Sequence, residues 1–458
     1  MRWLGTVGGV LFALASLRAQ TIAREIEAAE ALGARTGVVV CDGDGRILWK
    51  NRATEAFAPA SNMKLLTAAA CIAGLGAEHA FETTFSLRSG RLAVIASGDP
   101  NWIHDSVHAP EVVFGEVAAA LRRLGVKTIA GIELDRGTFV GPDRPADWPP
   151  DQLYTYYCAP TGPFVLEQGT LLVAIDGAGG GADAHVELVA PPADLPVRGA
   201  IALVDAKKGA TYGASDVGDA VLVRGKFPRR SPPVQIRSAV RNPAVWFEAS
   251  LRRVLTANGI SLGGDPGVRD QVVHTHRSEL RQALLRMLED SSNFDAEQCL
   301  RVLGDRTARD GSLAGGLAAM HSQLEKLVGR IPEGVVLRDG SGLSKDSRVT
   351  PGLLLVAMYS ASRSKGGALL RDCLPVSGQS GTLADRFVGT PLVGRVHAKT
   401  GWIRGVSSLS GLVVGRSGSV RWFSILMNYD PKTNGLNKDL KAAQERIVAA
   451  IDAMDVER

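Results

Sequence analysis

The sequence of residues 61–70 is SNMKLLTAAA, which predicts a helix because alanine and leucine favour helices and glycines follow at positions 74 and 76. Ser61 opens this helix, and Lys64 follows one turn later. Residues three positions apart share one face of a helix, so the lysine amine can reach the serine hydroxyl. The stretch therefore predicts a serine nucleophile with a lysine beside it.

The chemistry of this pair depends on the charge of the lysine. A lysine acts as a general base only if burial and a neighbouring cation lower its pKa, and Lys399 is the expected source of that cation. The helix N-terminus at Ser61 adds a positive dipole and free backbone N–H groups, which suit an oxyanion formed when the hydroxyl attacks a carbonyl. These groups predict acyl transfer through a covalent ester.

Two further short motifs follow along the chain. Residues 291–293 read Ser-Ser-Asn, 230 residues after Ser61, and residues 399–401 read Lys-Thr-Gly, 108 residues after Ser291. Each motif alone is weak, since Ser-x-x-Lys is more often a helix cap with a solvated lysine and Lys-Thr-Gly is an ordinary strand end. All three in this order are the signature of penicillin-binding proteins and class A β-lactamases.

The rest of the chain reads as a folded body with an insertion. Apolar runs at 36–41 and 46–50 flank an Asp-Gly-Asp-Gly turn and predict a hairpin. Short valine-rich runs between about 82 and 233 predict small β-rich units around one helix at 110–124. The later elements predicted are helices at 243–259, 277–288, 296–303, 312–328 and 350–360, strands at 395–400, 406–414 and 420–428, and a last helix at 437–454. This order predicts an α/β body of antiparallel strands flanked by helices.

Composition excludes several classes of protein. The 458 residues are 45% hydrophobic and 22% charged, which is the balance of a globular protein. Lysine and arginine number 52 against 47 aspartates and glutamates, and no basic run is longer than a pair such as Arg229 and Arg230. A nucleic-acid-binding surface needs clustered basic residues, so no nucleic-acid partner is expected.

The first twenty residues predict export from the cytoplasm. An apolar stretch from Trp3 to Leu17 follows Arg2, and it is too short to cross a bilayer, which needs about 20 residues. The stretch matches the hydrophobic region of a signal peptide cleaved near Ala19; an uncleaved anchor or a buried first helix is the alternative. The mature protein is expected to be periplasmic, soluble and without a stable membrane span.

The cysteines and histidines form no recognisable metal motif. The five cysteines, at positions 41, 71, 158, 299 and 373, show no CxxC spacing and predict buried thiols with at most one or two disulfides. His104 and His108 have the spacing of two ligands on a helix, but prolines at 100 and 110 indicate a loop and no third ligand is in view. No metal and no cofactor are therefore expected.

Taken as a whole, the sequence resembles the serine D-alanyl-D-alanine carboxypeptidases of the class C penicillin-binding type, the DacB-like enzymes. These enzymes insert extra domains between the first two motifs, which matches the long β-rich interval here. Further stretches that resemble the family are 97–100, 157–160, 242–244, 339–344 with 348–351, and 380–383.

The resemblance implies a fold and a division into domains. The fold is the penicillin-binding-protein and β-lactamase-like transpeptidase fold, α/β in the α+β sense, with an antiparallel sheet flanked by helices. The implied parts are a signal peptide at 1–20, a catalytic penicillin-binding domain at 21–82 and 240–458, and an inserted β-rich region at 83–239.

The resemblance also implies a role for each motif residue. Ser61 is the nucleophile, Lys64 is its general base, and Ser291 is a hydroxyl that relays a proton to the leaving amine. The residues implied to bind substrate are Asn293, Lys399, Thr400 and Gly401. Lysine and threonine hold the terminal carboxylate, and the glycine leaves room for the substrate to lie alongside as an added strand. The backbone N–H groups implied to form the oxyanion hole are those of Ser61 and Trp402.

Two positions depart from the family pattern. Ser292 stands where the family usually has aspartate, and Trp402 stands where it more often has serine or threonine. The chemistry is expected to survive because the outer residues of the central motif are kept, whereas the indole is expected to alter substrate access. Asp99 resembles a family residue that either contacts the stem peptide or fixes a Gly-Asp-Pro turn, and both interpretations stay open.

The implied enzyme is a serine-type hydrolase that removes the terminal D-alanine of peptidoglycan stem peptides, with DD-endopeptidase action on cross-links as a further activity. β-Lactam antibiotics are its implied covalent inhibitors. One alternative is a β-lactamase or other penicillin-recognising esterase, against which the long insertion argues. Another is a non-catalytic wall-binding protein with a degraded site, against which the intact motifs argue.

Overall fold

The computed structural model describes residues 21–178, 181–205 and 209–454, so the predicted signal peptide at 1–20 lies outside the described residues. The helices are α1 (21–31), α2 (Met63–Leu75), α3 (Pro110–Arg123), α4 (Pro243–Ala257), α5 (Leu280–Leu288), α6 (Asn293–Ala308), α7 (Leu313–Val328), α8 (Pro351–Arg363), α9 (Ala368–Asp372) and α10 (Leu436–Asp452).

The strands are β1 (Ala34–Asp42), β2 (Ile47–Asn51), β3 (Ala80–Arg88), β4 (Arg91–Ile95), β5 (Thr128–Ile129), β6 (Gly131–Asp135), β7 (Thr170–Asp176), β8 (His185–Ala190), β9 (Val197–Val204), β10 (Thr211–Asp216), β11 (Val221–Pro228), β12 (Val234–Ala239), β13 (Ser261–Leu262), β14 (Gln271–Glu279), β15 (Val396–Ile403), β16 (Val406–Val414) and β17 (Val420–Tyr429).

Five antiparallel strands form the sheet that carries the candidate site, in the order β15-β16-β17-β1-β2. Lys399 of β15 pairs with Ser410 of β16, and Val38 of β1 pairs with Ile425 of β17. Strands β1 and β2 are the hairpin predicted from the Asp-Gly-Asp-Gly turn, which confirms that prediction.

Helices cover both faces of this sheet. Val38 and Val40 of β1 lie in one core with residues of α1 and α10, such as Ile22 and Ile447. Side chains alternate along a strand, so Gly37 points to the opposite face, where a Cβ on it would lie 2.9 Å from a side-chain carbon of Pro351 in α8. The sheet therefore lies between two helical layers, as the order of elements predicted.

The chain forms two compact units. The first contains the described residues up to Ala77, Leu284–Ala296 and the described residues from Leu317 onward, and thus the whole five-stranded sheet. The second contains Glu78–Ala283 and Glu297–Gly316. The second unit extends beyond the insertion predicted at 83–239. Strand β14 pairs with β3, and Phe247 of α4 joins the core of the β3 sheet, which explains why the later residues belong with it.

The second unit is built around small sheets. The sheet β14-β3-β4-β6 packs with α3 and α4 through an aromatic core of Phe85, Trp102, Phe114, Phe164 and Phe247. The sheets β10-β11-β9 and β12-β7-β8 contribute to a further hydrophobic core. These short strands and helix α3 confirm the β-rich region predicted around one helix.

One predicted helix begins later than expected. The sequence pattern predicts a helix from Arg277, whereas α5 begins at Leu280 because the preceding residues end strand β14. In that strand Glu279 pairs with Ala80 of β3. Pairing with a strand distant in the sequence overrides the local helical preference.

Several other predicted features are located in the structure. Asp99 accepts hydrogen bonds from the Asn101 backbone N–H (2.9 Å) and from Ser278 Oγ (2.6 Å), which favours the turn-fixing interpretation. His104 Nδ1 lies 2.9 Å from Glu167 Oε2, and no cluster of three metal-binding side chains occurs among the described residues.

Two further predictions concerned the state of the cysteines and the presence of a membrane-spanning helix. All five cysteines are buried as thiols, and burial raises the pKa of Cys41 and of Cys71 to about 12. Within the described ranges no helix combines the length and the apolar character needed to cross a membrane.

Candidate active site

The predicted nucleophile and base lie together at the start of α2. Ser61 belongs to a 3-10 turn, Ala60–Asn62, that leads directly into the helix, and Lys64 is the second residue of the helix. Lys64 Nζ donates a hydrogen bond to Ser61 Oγ at 3.0 Å. The residue before the serine, Ala60, has a φ of 47°, a left-handed conformation that costs free energy for a residue with a Cβ.

Two carbonyl oxygens also accept hydrogen bonds from the Lys64 amine. Asn293 Oδ1 lies 2.7 Å from Nζ, and the backbone oxygen of Ser341 lies 2.8 Å from it. The lysine is fully buried. The protonated amine can donate to all three oxygens. The neutral amine has two N–H groups and one lone pair, so donation to the two carbonyls leaves its lone pair facing the Ser61 hydroxyl.

The Ser-Ser-Asn motif forms the start of α6. Ser292 Oγ accepts a hydrogen bond from the Asp295 backbone N–H at 3.1 Å, as a helix N-cap does. Serine and aspartate are both favourable N-caps, which gives a physical reason why serine can replace the usual aspartate at this position. The cap fixes the end of the helix from which Asn293 reaches Lys64.

Ser291 precedes the cap in a strained conformation. Its φ is 64°, again in the left-handed region, which costs free energy for a residue with a Cβ. The central motif contacts Lys64 through Asn293, and the substrate-binding role expected of Asn293 remains a prediction. The proton relay assigned to Ser291 remains a prediction.

Lys399 lies on β15 and is fully buried. Burial and the nearby charge of Lys64 lower its pKa well below the usual lysine range, and the negative charge of Asp290 opposes this shift. Its Nζ donates a hydrogen bond to the Thr400 backbone oxygen at 3.0 Å. Asn62 Nδ2 donates a hydrogen bond to the Lys399 backbone oxygen at 2.9 Å. This bond connects the 3-10 turn Ala60–Asn62, which we call the nucleophile turn, to strand β15.

Gly401 allows β15 to approach the nucleophile turn closely. A Cβ at this position would lie 2.2 Å from Ser408 Oγ and 3.0 Å from the Ser61 backbone nitrogen. A side chain at position 401 would therefore meet the protein's own chain, and the space for substrate alongside the strand remains a prediction. Trp402 follows with a side chain that is 58% exposed.

Sequence reasoning did not identify the contributions of Asn62 and of the Ser341 carbonyl. Asn62 occupies a variable position of the Ser-x-x-Lys motif, and a backbone carbonyl leaves no signal in residue type. The only available sign was the Asp-Gly-Ser-Gly stretch at 339–342, whose glycines permit close backbone approaches.

A serine and lysine at the N-terminal end of a helix, packed beside a Lys-Thr-Gly strand of an antiparallel sheet, define the class of penicillin-binding proteins and β-lactamases. The family model of the D-Ala-D-Ala carboxypeptidase 3 (S13) family matches residues 18–451, and the chain belongs to this family.

Relatives and solved structures agree with this membership. The chain is similar to a D-alanyl-D-alanine carboxypeptidase of Actinomadura sp. (strain R39), with 32% identity over 428 residues that cover 86% of this chain and 78% of the relative. It is similar to the D-alanyl-D-alanine carboxypeptidase DacB of Haemophilus influenzae, with 26% identity over 383 residues, 78% of each chain.

The fold matches the crystal structure of penicillin binding protein 4 (dacB) from Haemophilus influenzae, with a TM-score of 0.76 and 23% identity over 93% of this chain and 97% of that chain. The fold and family expected from the sequence are confirmed. The protein is a hydrolase of the D-alanyl-D-alanine carboxypeptidase type.

Proposed function

We propose that this carboxypeptidase acts in the periplasm on peptidoglycan stem peptides and forms its acyl-enzyme on Ser61. DD-endopeptidase action on cross-links uses the same site. The observation that carries the proposal is the 3.0 Å hydrogen bond between Lys64 and Ser61, with two carbonyl oxygens orienting the lysine amine. The predicted signal peptide supports the periplasmic location.

The first step is acylation of the serine. Neutral Lys64 takes the proton of the Ser61 hydroxyl while Oγ attacks the carbonyl carbon of the peptide bond between the two D-alanines. The backbone N–H groups of Ser61 and Trp402 stabilise the oxyanion that forms. Lys399 and Thr400 hold the terminal carboxylate and so position the peptide for attack.

The intermediate then collapses to an ester on Ser61. The bond between the carbonyl carbon and the nitrogen breaks, and the departing D-alanine nitrogen receives the proton that Lys64 holds, relayed by the Ser291 hydroxyl. A water molecule then attacks the ester carbonyl while Lys64 takes one of its protons. The bond between the carbonyl carbon and Ser61 Oγ breaks, Lys64 returns the proton to Oγ, and the shortened peptide leaves with a free carboxylate. The residues of the site supply every proton transfer, so the proposed mechanism uses no cofactor.

β-Lactam antibiotics are the proposed covalent inhibitors. Their strained carbonyl and adjacent carboxylate imitate the terminal D-Ala-D-Ala, so they occupy the same oxyanion hole and carboxylate clamp. The Haemophilus influenzae penicillin binding protein 4 has been crystallised in complex with a β-lactam. After ring opening the leaving nitrogen stays tethered to the acyl group and hinders water, so a stable adduct is expected here.

Benzylpenicillin labelling and a peptide assay test the proposal together. Intact-mass measurement is expected to show one added drug mass, mapped by digestion to the peptide that bears Ser61, and no adduct in Ser61→Ala. Purified enzyme is also expected to release D-alanine from a tripeptide ending in D-Ala-D-Ala, whereas Ser61→Ala releases none. An adduct on another serine overturns the assignment of the nucleophile.

The same experiment separates the alternatives. Rapid hydrolysis of benzylpenicillin without adduct accumulation identifies a β-lactamase instead. Absence of both D-alanine release and labelling identifies a non-catalytic wall-binding protein. A cross-linked dimeric stem peptide as second substrate measures the endopeptidase activity directly.

A further inference from the structure

A buried carboxylate organises the loop that supplies the Ser341 carbonyl. The loop spans 337–347, and its ends are joined by an antiparallel bridge between Val336 and Arg348, with backbone nitrogen-to-oxygen distances of 2.8 and 2.7 Å. Asp339 lies inside this loop, and its side chain is almost fully buried. The loop is thus compact, with its ends close together and its centre packed by its own side chains.

The Asp339 carboxylate accepts hydrogen bonds from within its own loop. Its donors are Ser344 N (2.7 Å), Gly342 N (3.0 Å), Ser341 Oγ (3.2 Å) and Ser347 Oγ (3.4 Å). Hydrogen bonds to an ionised acceptor are stronger than those between neutral groups. The carboxylate therefore fixes the backbone on either side of position 341.

The outer side of the loop faces α2. Thr67 Oγ donates to the Gly340 oxygen at 2.6 Å, and one helical turn earlier Lys64 donates to the Ser341 oxygen. Gly342 has a φ of 77°, and a Cβ there would lie 1.8 Å from the Ala60 oxygen. Two consecutive carbonyls thus rest on one face of the helix, with no room for a side chain at position 342.

We propose that Asp339 is a positioning residue for the general base: its carboxylate folds the loop so that the Ser341 carbonyl accepts one N–H of Lys64 and leaves the lone pair directed at Ser61. Asp339 touches neither substrate nor the reacting atoms. This inference rests on the proposed function, because it assumes that Lys64 is the base.

Loss of the carboxylate has two separable effects on the base. If the Ser341 carbonyl moves, the neutral amine is no longer oriented, and misplacement of a catalytic group by about 1 Å can reduce the rate about a hundredfold. Loss of a nearby negative charge and of a carbonyl acceptor also makes the protonated amine less favourable. The acid limb of the rate profile, where Lys64 loses its proton, then moves to lower pH.

The test compares Asp339→Asn with Asp346→Asn, whose side chain is exposed on the same loop. Acylation by benzylpenicillin is measured from pH 5 to pH 10, with rates normalised to the labelled fraction, and thermal unfolding is recorded for each variant. Asp339→Asn is expected to lower the plateau rate about tenfold to a hundredfold and to move the acid limb to lower pH. Asp346→Asn is expected to match the wild type.

Thr67→Val is the second variant, in case Asp339→Asn does not fold. It removes the other hydrogen bond that holds the loop on α2 while keeping the side-chain shape, and a smaller change in the same two directions is expected. A reduced labelled fraction with an unchanged rate and an unchanged acid limb in both variants indicates a purely structural role and overturns the inference. If the wild type itself is not labelled on Ser61, the proposed function fails instead.

Discussion

Lys64 and Lys399 are both fully buried in the same unit, yet their surroundings differ. Lys64 Nζ lies within hydrogen-bonding distance of oxygens from three separate segments of the chain, Ser61, Asn293 and Ser341. Lys399 donates to the backbone oxygen of the next residue, and burial and the charge of Lys64 lower its pKa. One amine is held from several directions, and the other is bound only locally among the described residues.

The difference separates two tasks that the same residue type performs. An amine that must take a proton from one atom benefits from fixed orientation, which the carbonyl partners of Lys64 provide. An amine that must bind an anion benefits from an incomplete set of partners, because a substrate carboxylate then compensates for its burial.

Removal of the Lys64 amine is expected to cause the largest loss of activity. Lys64→Ala is expected to lower the rate of D-alanine release about 10⁴-fold or more, nearly as much as Ser61→Ala, because the two residues act as one unit. The double variant should be little worse than either single one. Lys345→Ala, at an exposed lysine, is the control. Retention of more than about a tenth of the activity by Lys64→Ala, only ~1.4 kcal/mol of barrier, contradicts the assignment of Lys64 as base.

The anion-binding task of Lys399 is tested with an altered substrate. Amidation of the C-terminal carboxylate is expected to lower kcat/KM about a hundredfold in the wild type, because a buried charge loses its partner. In Lys399→Met the acid and amide substrates should be cleaved at similar, low rates. Steady-state kinetics on the four combinations measures this coupling. Equal rates on acid and amide in the wild type remove the clamp role.

Gly401 keeps the strand of Lys399 against the nucleophile turn. Gly401→Ala places a Cβ 2.2 Å from Ser408 Oγ, and such overpacking is expected to destabilise the fold by about 1–3 kcal/mol and to slow acylation. Gly115→Ala, inside α3 with nothing within 4 Å of the new Cβ, should be neutral or stabilising. Denaturant unfolding and penicillin labelling check both variants. Wild-type stability of Gly401→Ala would show that the strand can shift freely.

The lowered pKa of Lys399 makes stability depend on pH. The folded protein releases this proton at a lower pH than the unfolded chain, whose lysine keeps a pKa near 10.5. Between these values the unfolded chain binds more protons, so the free energy of unfolding rises with pH; below them the full penalty of the buried charge is present. The free energy of unfolding of Lys399→Met should therefore exceed that of the wild type most at the lower pH. This excess should shrink towards pH 10.5.

Denaturant titrations between pH 6 and pH 10 measure this difference. Lys345→Met, at an exposed lysine, is the control. Its free energy of unfolding should differ from that of the wild type by the same amount at every pH. If the free energies of unfolding of Lys399→Met and the wild type also differ by the same amount at every pH, the pKa of Lys399 is not lowered.

The smallest effect concerns the helix end that holds Asn293. Ser292→Ala removes the N-cap of α6 and is expected to cost about 1 kcal/mol of stability with modest loss of activity. Ser292→Asp restores a cap and should recover the wild-type melting temperature. If the melting temperature of Ser292→Asp is as low as that of Ser292→Ala, the Ser292 side chain does not act as a helix cap.

Much of this fold was predictable because its signals are local. The hairpin of β1 and β2 was predicted from its turn residues, and α2 from its alanine and leucine content. The motifs also predicted that Ser61, Lys64 and Lys399 belong to one site. Local patterns did not reveal that Arg277–Glu279 end a strand, since that depends on pairing with β3.

The supporting parts of the site were harder to predict for a related reason. The Ser341 carbonyl is a backbone atom, and any residue type could supply it. The role of Asn62 depends on strand β15, which lies more than 300 residues later in the chain. Such contacts follow from the folded backbone and leave little trace in residue type.

The pairing of β1 with β17 has a consequence for how the enzyme is made. The pairing of Val38 with Ile425 can form only after the ribosome has added Ile425, roughly 20 to 80 s after Val38 at ordinary rates of synthesis. Until then the serine and lysine segment has no sheet to pack against, and closing so long a chain segment slows folding. A nascent or truncated chain that lacks β17 therefore carries the complete Ser-x-x-Lys motif without the sheet that supports it, so hydrolytic activity is expected only after β17 has been synthesised.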